Sequence, residues 1–360
     1  MDASAFSLSD YSGGLFHIGL KYGQVIRPVF AKVVDQYAGR YLRPHDPARV
    51  RAVKEDMEAY LRAHAPGLVE EMRGISEGSG VSFDDVCRHN LCSFIHATLT
   101  EEAPVRDTGC TSIGFSDSDR GPLLGKNTDC GDPTPDNLTR FAPMLLWRPS
   151  DGPAFIGNTH MGTVWRHVGI NDRGLALGGS SVSGGVGGFR PGLTDGFLGR
   201  LFLERCATVE EAVALAEAHP FVGQGVNFIV SDQRGDVATF ELSVEGKVVE
   251  RLNGRSHLFT SNFYASGRLR HGPTCEPWFL DNSKGRRDFL AGLQPGPDGK
   301  FRFEQMEQVL RHHGEKGGIC QHTDRNRMST TFSTIALCRE KVLLTAWGKP
   351  CGTAFQAYGF

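Results

Sequence analysis

The chain has 360 residues and 39.3 kDa, with 39 lysines and arginines against 41 aspartates and glutamates, a formal net charge of −2 and a pI near 6.7. That balance excludes an electrostatic nucleic-acid binder or membrane-surface binder, and no run approaches the roughly 18 apolar residues of a membrane span. The length supports one large domain or two smaller ones with a sizeable core. Met1-Asp2-Ala3-Ser4-Ala5 offers neither a basic region nor an apolar stretch, so a signal peptide is not expected. The 9 cysteines are odd in number and scattered, which points to free thiols in a reducing cytoplasm.

From residue 14 to 43 a broad apolar face recurs at spacings of three and four and predicts a helix. Asp46-Pro47 reads as an N-cap followed by a first-turn proline, opening a helix that runs to His64. Pro66 opens another, stopped by Gly78 and Gly80. Ser82-Phe83-Asp84-Asp85 has the shape of a capping box and starts a further helix. The first hundred residues are thus a helical scaffold.

The character changes at Cys110. Thr111 to Phe115, Leu123 to Lys126 and Met144 to Arg148 read as short strands between Asp, Gly and Pro turns. Val164 to Leu177 reads as a hairpin turning at Asn171-Asp172-Arg173-Gly174. The following Gly178 to Gly188 is rich in Gly and Ser, but no Gly-Lys-Ser/Thr follows, which argues against a phosphate loop. Helices are expected at Phe197 to Cys206 and at Val209 to Ala218, the second capped by Thr208. A meander follows: Asn227 to Ser231, Val237 to Ser243, Lys247 to Leu252 and His257 to Thr260. Helices near Ser283 to Leu293 and Phe303 to His312 precede final strands at Thr331 to Cys338 and Val342 to Trp347. This order suggests an α+β chain in which two sheets pack face to face with helices outside.

Asp107-Thr108-Gly109-Cys110-Thr111-Ser112-Ile113, then Gly125-Lys126-Asn127-Thr128-Asp129, places a thiol behind a glycine and a cation and carboxylate soon after. Cutting the Gly109–Cys110 bond would put an α-amine and a thiol on one residue. An α-amine has an ordinary pKa of about 7.7–8.0, so nucleophile and base would share Cys110. Gly109 tolerates the geometry in which a thiol attacks the preceding carbonyl. The bland alternatives are a buried structural cysteine and a solvated Lys126–Asp129 pair.

Gly-Cys-Thr-Ser-Ile followed by Gly-Lys-Asn-Thr-Asp resembles the acyl-coenzyme A:isopenicillin N acyltransferase family of self-cleaving N-terminal-nucleophile enzymes, more distantly similar to choloylglycine hydrolases and acid ceramidases. The resemblance spans nearly the whole chain. It includes Met72 to Gly78 with Asn90, the 164–177 hairpin, Thr260-Ser261-Asn262, Asp281-Asn282-Ser283-Lys284-Gly285-Arg286 and Ile319-Cys320-Gln321-His322 with Arg327. It implies a four-layer αββα sandwich, Cys110 as nucleophile, Lys126 and Asp129 positioning its amine, and Asn262 donating to the oxyanion. Ser261 stands where the family has Thr, Phe263 where it has His, Asn282 where it has Asp and Asn326 where close members have Ser. Arg286 is expected to orient the site or bind substrate, with a solvated helix arginine as its alternative. Arg327 falls where the family has a site arginine, and Ser180-Ser181 fall where choloylglycine hydrolases carry an asparagine that assists the oxyanion, with Ser181 the candidate.

Cys87, His89, Cys92 and His96 form one candidate metal cluster, and Cys320 with His322 another. No C-x2-C pair exists, and a structural zinc is not expected. The resulting expectation is an enzyme precursor, a zymogen, that cuts itself into 1–109, which stays bound, and 110–360, together one domain. It needs no metal or bound cofactor. It acts on a small-molecule acyl donor, with acyl-coenzyme A as a candidate substrate, and an amine acceptor, in specialised metabolism. A pure amide hydrolase on the same fold and a non-cleaving binding protein are the alternatives, and assembly of identical copies stays open.

Overall fold

The computed structural model describes residues 9–100, 109–131, 144–182, 190–271, 277–314, 317–322 and 328–360. Four helices come first after a short strand: β1 (Ser9–Gly13), α1 (Leu15–Leu42), α2 (Pro47–His64), α3 (Pro66–Ser79) and α4 (Phe83–Thr100). Asp46 caps α2 by accepting from the amides of Ala48 and Arg49 at 2.9 and 3.0 Å, and Gly80 ends α3 in the left-handed region at φ 80°. Helices α1 and α3 pack backbone to backbone. A Cβ on Gly74 would lie 2.0 Å from the Phe16 carbonyl oxygen and one on Gly19 2.2 Å from that of Glu71, so no larger residue fits this crossing.

Two antiparallel-dominated sheets follow. The first runs β1-β4-β5-β6-β7-β8-β9-β10, with β4 (Met144–Pro149), β5 (Phe155–Asn158), β6 (Val168–Asn171), β7 (Ala176–Ser181), β8 (Val226–Ser231), β9 (Val237–Ser243) and β10 (Gly246–Arg251). The second runs β11-β2-β3-β12-β13-β14, with β2 (Cys110–Phe115), β3 (Leu123–Gly131), β11 (His257–Thr260), β12 (Met328–Leu337), β13 (Val342–Ala346) and β14 (Gln356–Tyr358). Helices α5 (Asp195–Arg205) and α6 (Val209–Ala218) lie between β7 and β8 in sequence, while α7 (Pro277–Ala291) and α8 (Phe303–Arg311) lie between β11 and β12.

Strand alternation sorts the core into three slabs. Leu145, Trp147, Leu177, Phe228 and Phe240 of the first sheet pack with apolar residues of α1 through α6. On the opposite face Leu146, Ile156, Ile170 and Ile229 meet Leu124, Leu258 and Ala336 of the second sheet. Beyond that sheet Ile113, Phe115, Leu123 and Ile335 meet Leu290, Met306 and Leu310 of α7 and α8. The order helix, sheet, sheet, helix is the four-layer αββα sandwich.

The first hundred residues are bound into this stack. β1 pairs parallel with β4. Glu71 of α3 is fully buried, accepting from Arg200 of α5 at 2.7 Å and from Trp147 Nε1 of β4 at 3.1 Å.

Two expectations need correction, and three strands add to those expected. β1, β5 and β14 carry no sequence signal of their own. β3 extends to Gly131 rather than stopping at Lys126, because its whole length is paired to β12. α7 starts at Pro277, with proline at the first position, so Ser283 sits inside the helix rather than at its start.

Candidate active site

Cys110 is the first residue of β2, and the ladder between β2 and β3 sets its neighbours. Cys110 stands opposite Thr128 and Ser112 opposite Lys126. Gly109 continues the ladder: its N–H donates to the Asp129 carbonyl at 3.1 Å and its carbonyl accepts from the Asp129 N–H at 2.8 Å. The carbonyl preceding Cys110 is therefore held in a fixed orientation by a backbone donor.

The period of two then divides the site. Cys110, Ser112 and Gly114 share a face with Thr128, Lys126 and Leu124, which looks into the slab between the sheets. Lys126 is 1% exposed and donates from Nζ to the Gly179 carbonyl of β7 at 2.7 Å. Asp129 shares the other face with Asn127 and Gly125, towards α8, where Asn127 Nδ2 donates to the Leu310 and Ile319 carbonyls. The pleat sends Lys126 and Asp129 to opposite faces of β3, with Lys126 on the face of the thiol, so the alternative of a solvated Lys126–Asp129 pair does not hold.

Asp129 is fully buried. Its Oδ1 accepts from Thr330 Oγ1 at 2.6 Å, and a bulge between Thr330 and Phe332 brings Thr330 opposite it. Its Oδ2 has no hydrogen-bond partner among the described residues and lies 3.4 Å from the position a Cβ on Gly109 would take. Burial pushes the carboxyl up to about 6, against the opposing pull of Arg286, the Thr330 hydrogen bond and Lys126.

Arg286 of α7 is buried completely at Cys110, which rules out the solvated reading. Nη1 donates to the Cys110 carbonyl at 2.6 Å and to Thr111 Oγ1 at 2.8 Å. Nη2 donates to Asn262 Oδ1 at 2.8 Å, and Nε to Asn282 Oδ1 at 2.9 Å. Burial holds its pKa below the usual arginine value, and the charges of Asp129 and Cys110 offset part of that.

Asn262, just past β11, is beside Cys110 as expected, but through its oxygen. Oδ1 accepts from the Cys110 backbone N–H at 2.9 Å, while Nδ2 donates to the Ser181 carbonyl at 2.8 Å. The turn that carries it is clamped on both sides. Asn227 Nδ2 of β8 donates to the Ser261 and Phe263 carbonyls at 3.0 and 2.7 Å, and Ser283 Oγ accepts from the Asn262 N–H at 2.8 Å.

The structure therefore gathers Gly109, Cys110, Lys126, Asp129, Ser181, Asn262 and Arg286 in one region, with Ser181 contributing its backbone carbonyl. Arg327 lies outside the described residues. Asn227 joins the site without having stood out in the sequence, while Gln321 and Thr330, which fall in the closing segment that resembles the family, gain specific partners here. Gln321 donates from Nε2 to Asn282 Oδ1 at 3.3 Å, and its backbone exchanges hydrogen bonds with Thr330. An isolated Asn has no local pattern, and the contacts of all three follow only from long-range pairing.

Of the candidate metal ligands, Cys87, His89 and Cys92 are buried in or under the helical layer. His89 is held neutral by burial, its pKa pushed down to about 4, with Nε2 against the Met161 carbonyl at 2.9 Å. Cys320 and His322 instead gather His313 and Cys351 around them.

A sequence profile of the acyl-coenzyme A:6-aminopenicillanic acid acyl-transferase family matches residues 116–347. The chain belongs to that family. The matched region begins after Cys110 and contains Lys126, Asp129, Asn262 and Arg286. No curated protein sequence matches the chain. Among solved structures it is similar to penicillin V acylase from Agrobacterium tumefaciens, at 15% identity and TM-score 0.41 over 66% of this chain and 83% of that one. A mutant of conjugated bile acid hydrolase from Clostridium perfringens aligns at 11% identity and TM-score 0.43, over 70% and 97%. A Caenorhabditis elegans N-acylethanolamine-hydrolyzing acid amidase orthologue aligns at 16% identity and TM-score 0.38, over 64% and 93%. No helix among the described residues is long and apolar enough to cross a membrane.

Proposed function

We propose that the chain is a precursor that cleaves its own Gly109–Cys110 bond and then acts as an N-terminal-cysteine acyltransferase or amidohydrolase. The observation that carries this reading is the fixation of that one peptide bond from both sides. The Gly109 carbonyl accepts from the Asp129 N–H, and the Cys110 N–H donates to Asn262 Oδ1. Arg286 holds the next carbonyl.

In the cleavage step Cys110 Sγ adds to the Gly109 carbonyl carbon, and the Asp129 N–H stays on the developing oxyanion. The C–N bond breaks, the nitrogen takes the proton that the thiol gave up, and a thioester joins Gly109 to Cys110. One water then hydrolyses that thioester to the Gly109 carboxylate and a free Cys110. Asp129 Oδ2, buried beside Gly109 with no partner among the described residues, is the group we assign to accept a proton from that water or to hold the new amine. Residues 1–109 stay attached through β1 and Glu71.

In turnover the Cys110 amine takes the thiol proton and the thiolate attacks an acyl carbonyl. Collapse expels the leaving group with that proton and leaves an acyl thioester. An amine acceptor or water then releases the acyl group. Lys126, on the face of the thiol, stabilises the negative charge. Asn262 Nδ2, on turning from the Ser181 carbonyl, serves as oxyanion donor, and Arg327 is retained as a substrate or site-orienting candidate. The substrate class is a small-molecule amide or acyl thioester such as an acyl-coenzyme A.

The test is incubation with acyl-coenzyme A donors and peptide mass mapping. An acyl group on Cys110 that is lost in Cys110→Ala supports the reading, and acylation elsewhere or nowhere with every amide and thioester offered opposes it. Competition between an added amine and water for the acyl group distinguishes transfer from hydrolysis.

A further inference from the structure

His313, Cys320, His322 and Cys351 come from three separate stretches of chain: the segment after α8, the segment before β12 and the turn after β13. Each offers one ligand atom, and these atoms all lie within 4.8 Å of one another. The two sulfurs are 3.7 Å apart. His322 Nε2 lies 3.7 Å from Cys320 Sγ and 3.5 Å from Cys351 Sγ, and the two histidine Nε2 atoms are 3.1 Å apart.

Four of these six separations are close to the edges of a tetrahedron around zinc, and the two from His313 to the sulfurs lie within 4.8 Å. With zinc–sulfur bonds of about 2.3 Å and zinc–nitrogen bonds of about 2.0–2.1 Å, tetrahedral angles place sulfurs about 3.8 Å apart, sulfur and nitrogen about 3.6 Å, and nitrogens about 3.3 Å. A disulfide does not account for the geometry, since it needs sulfurs about 2.05 Å apart and explains neither imidazole. Each contact taken singly is of hydrogen-bond length, but four ligand-type side chains from three stretches of chain meet in one cluster.

We propose that His313, Cys320, His322 and Cys351 form a structural zinc site. The Cys2His2 donor set at tetrahedral spacing selects zinc among common divalent ions. Four protein ligands close the coordination sphere, so the ion braces the fold rather than activating water. Both cysteines bind as thiolates and their protons leave to solvent, so occupancy falls as pH falls. Cys351 and His313 are exposed, which gives the ion a path in.

The site braces a particular residue. Gln321 lies between the ligands Cys320 and His322 and reaches Asn282, which accepts from Arg286, while its backbone N–H donates to Thr330 Oγ1, which donates to Asp129. The zinc would thus pin the strip beneath Asp129 and Arg286 to the end of α8 and to the turn after β13. This inference stands independently of the acyl-transfer reading.

The test uses the full-length protein purified under reducing conditions with zinc supplied, followed by dialysis and elemental analysis. One zinc per chain is expected. Cobalt exchanged into the site should show the thiolate charge-transfer and visible bands of tetrahedral coordination. Cys351→Ser and His313→Asn, both at exposed positions, should each weaken zinc binding by at least the roughly 10–100-fold that loss of an outer-shell partner costs, whereas Cys87→Ser should keep the metal. Wild-type protein holding no more zinc than the Cys351→Ser, His313→Asn double variant would overturn the proposal. So would a Cys320–Cys351 disulfide in protein kept reduced, or a cobalt spectrum without thiolate bands.

Discussion

Arg286 Nη1 lies 2.6 Å from the Cys110 carbonyl oxygen, although the two residues are far apart in sequence. The same guanidinium donates to Asn262, Thr111 and Asn282, so one side chain fixes both the Cys110 carbonyl and the asparagine that accepts from the Cys110 N–H. A planar fork with five donors does this and an ammonium cannot.

Arg286→Lys is therefore expected to behave as a severe change. Loss of the fork leaves buried acceptors without donors and should cost about 1–3 kcal/mol of stability for each one left unpaired. It should also slow self-cleavage by on the order of 100-fold or more. Denaturant unfolding and a time course of fragment appearance measure the two effects. Unchanged cleavage in a folded Arg286→Lys protein would contradict the assigned role.

Asp129 sets a pH dependence. Its folded-state pKa, about 6, lies above the ordinary 3.8, so the folded chain binds its proton more tightly than the unfolded chain does. The stability contributed by the protonated form is complete below about pH 4 and is lost as pH rises through about 6. On the order of 3 kcal/mol is involved. Asp129→Asn should flatten this part of the stability profile, seen in denaturation between about pH 4 and 7. Cleavage should rise with the ionisation of Asp129, through about pH 6, and the Asn variant should cleave slowly without that rise.

Gly109 faces Met328, whose Sδ would lie 2.4 Å from an added Cβ. Gly109→Ala should be overpacked by about 1–3 kcal/mol and cut more slowly. Met328→Ala in the same chain should recover part of both losses, because it removes the obstructing atoms. No recovery in the double variant would place the effect in the backbone conformation instead.

Asn227 holds the carbonyls on either side of Asn262 from the facing sheet. Asn227→Ala should leave both unpaired, cost about 1–3 kcal/mol, and loosen Asn262. The expected kinetic signature is slower cleavage with Arg286 still in place. Comparison with Asn227→Asp, which keeps the shape but cannot donate when ionised, tests that the amide donors are what matter.

Much of the fold is legible in the residues because its signals are local. Asp46-Pro47 caps α2, Thr208 with Glu211 caps α6 through a reciprocal pair, and the alternation in Val237–Ser243 defines β9. The strands that escape are short and depend on distant partners: β1 pairs with β4 across all of α1 to α4, and β5 is flanked by turn residues. At the site, Cys110, Asp129 and Asn262 are legible from spacing and family resemblance. The separation of Lys126 from Asp129 follows from β3 running on through Asp129, which puts residues three apart on opposite faces, and the burial of Arg286 only from the docking of α7 against β2. Cys351 joins His313, Cys320 and His322 through the turn after β13, a proximity that no spacing pattern encodes.

Intact mass under denaturing conditions tests the central claim most directly, with wild type beside Cys110→Ala. Wild type should give two species whose masses sum to the 39.3 kDa chain plus one water, the larger beginning at Cys110, while the variant stays whole. A single uncut species in both, after prolonged incubation at neutral pH, would contradict the account and return Cys110 to the role of a buried structural thiol.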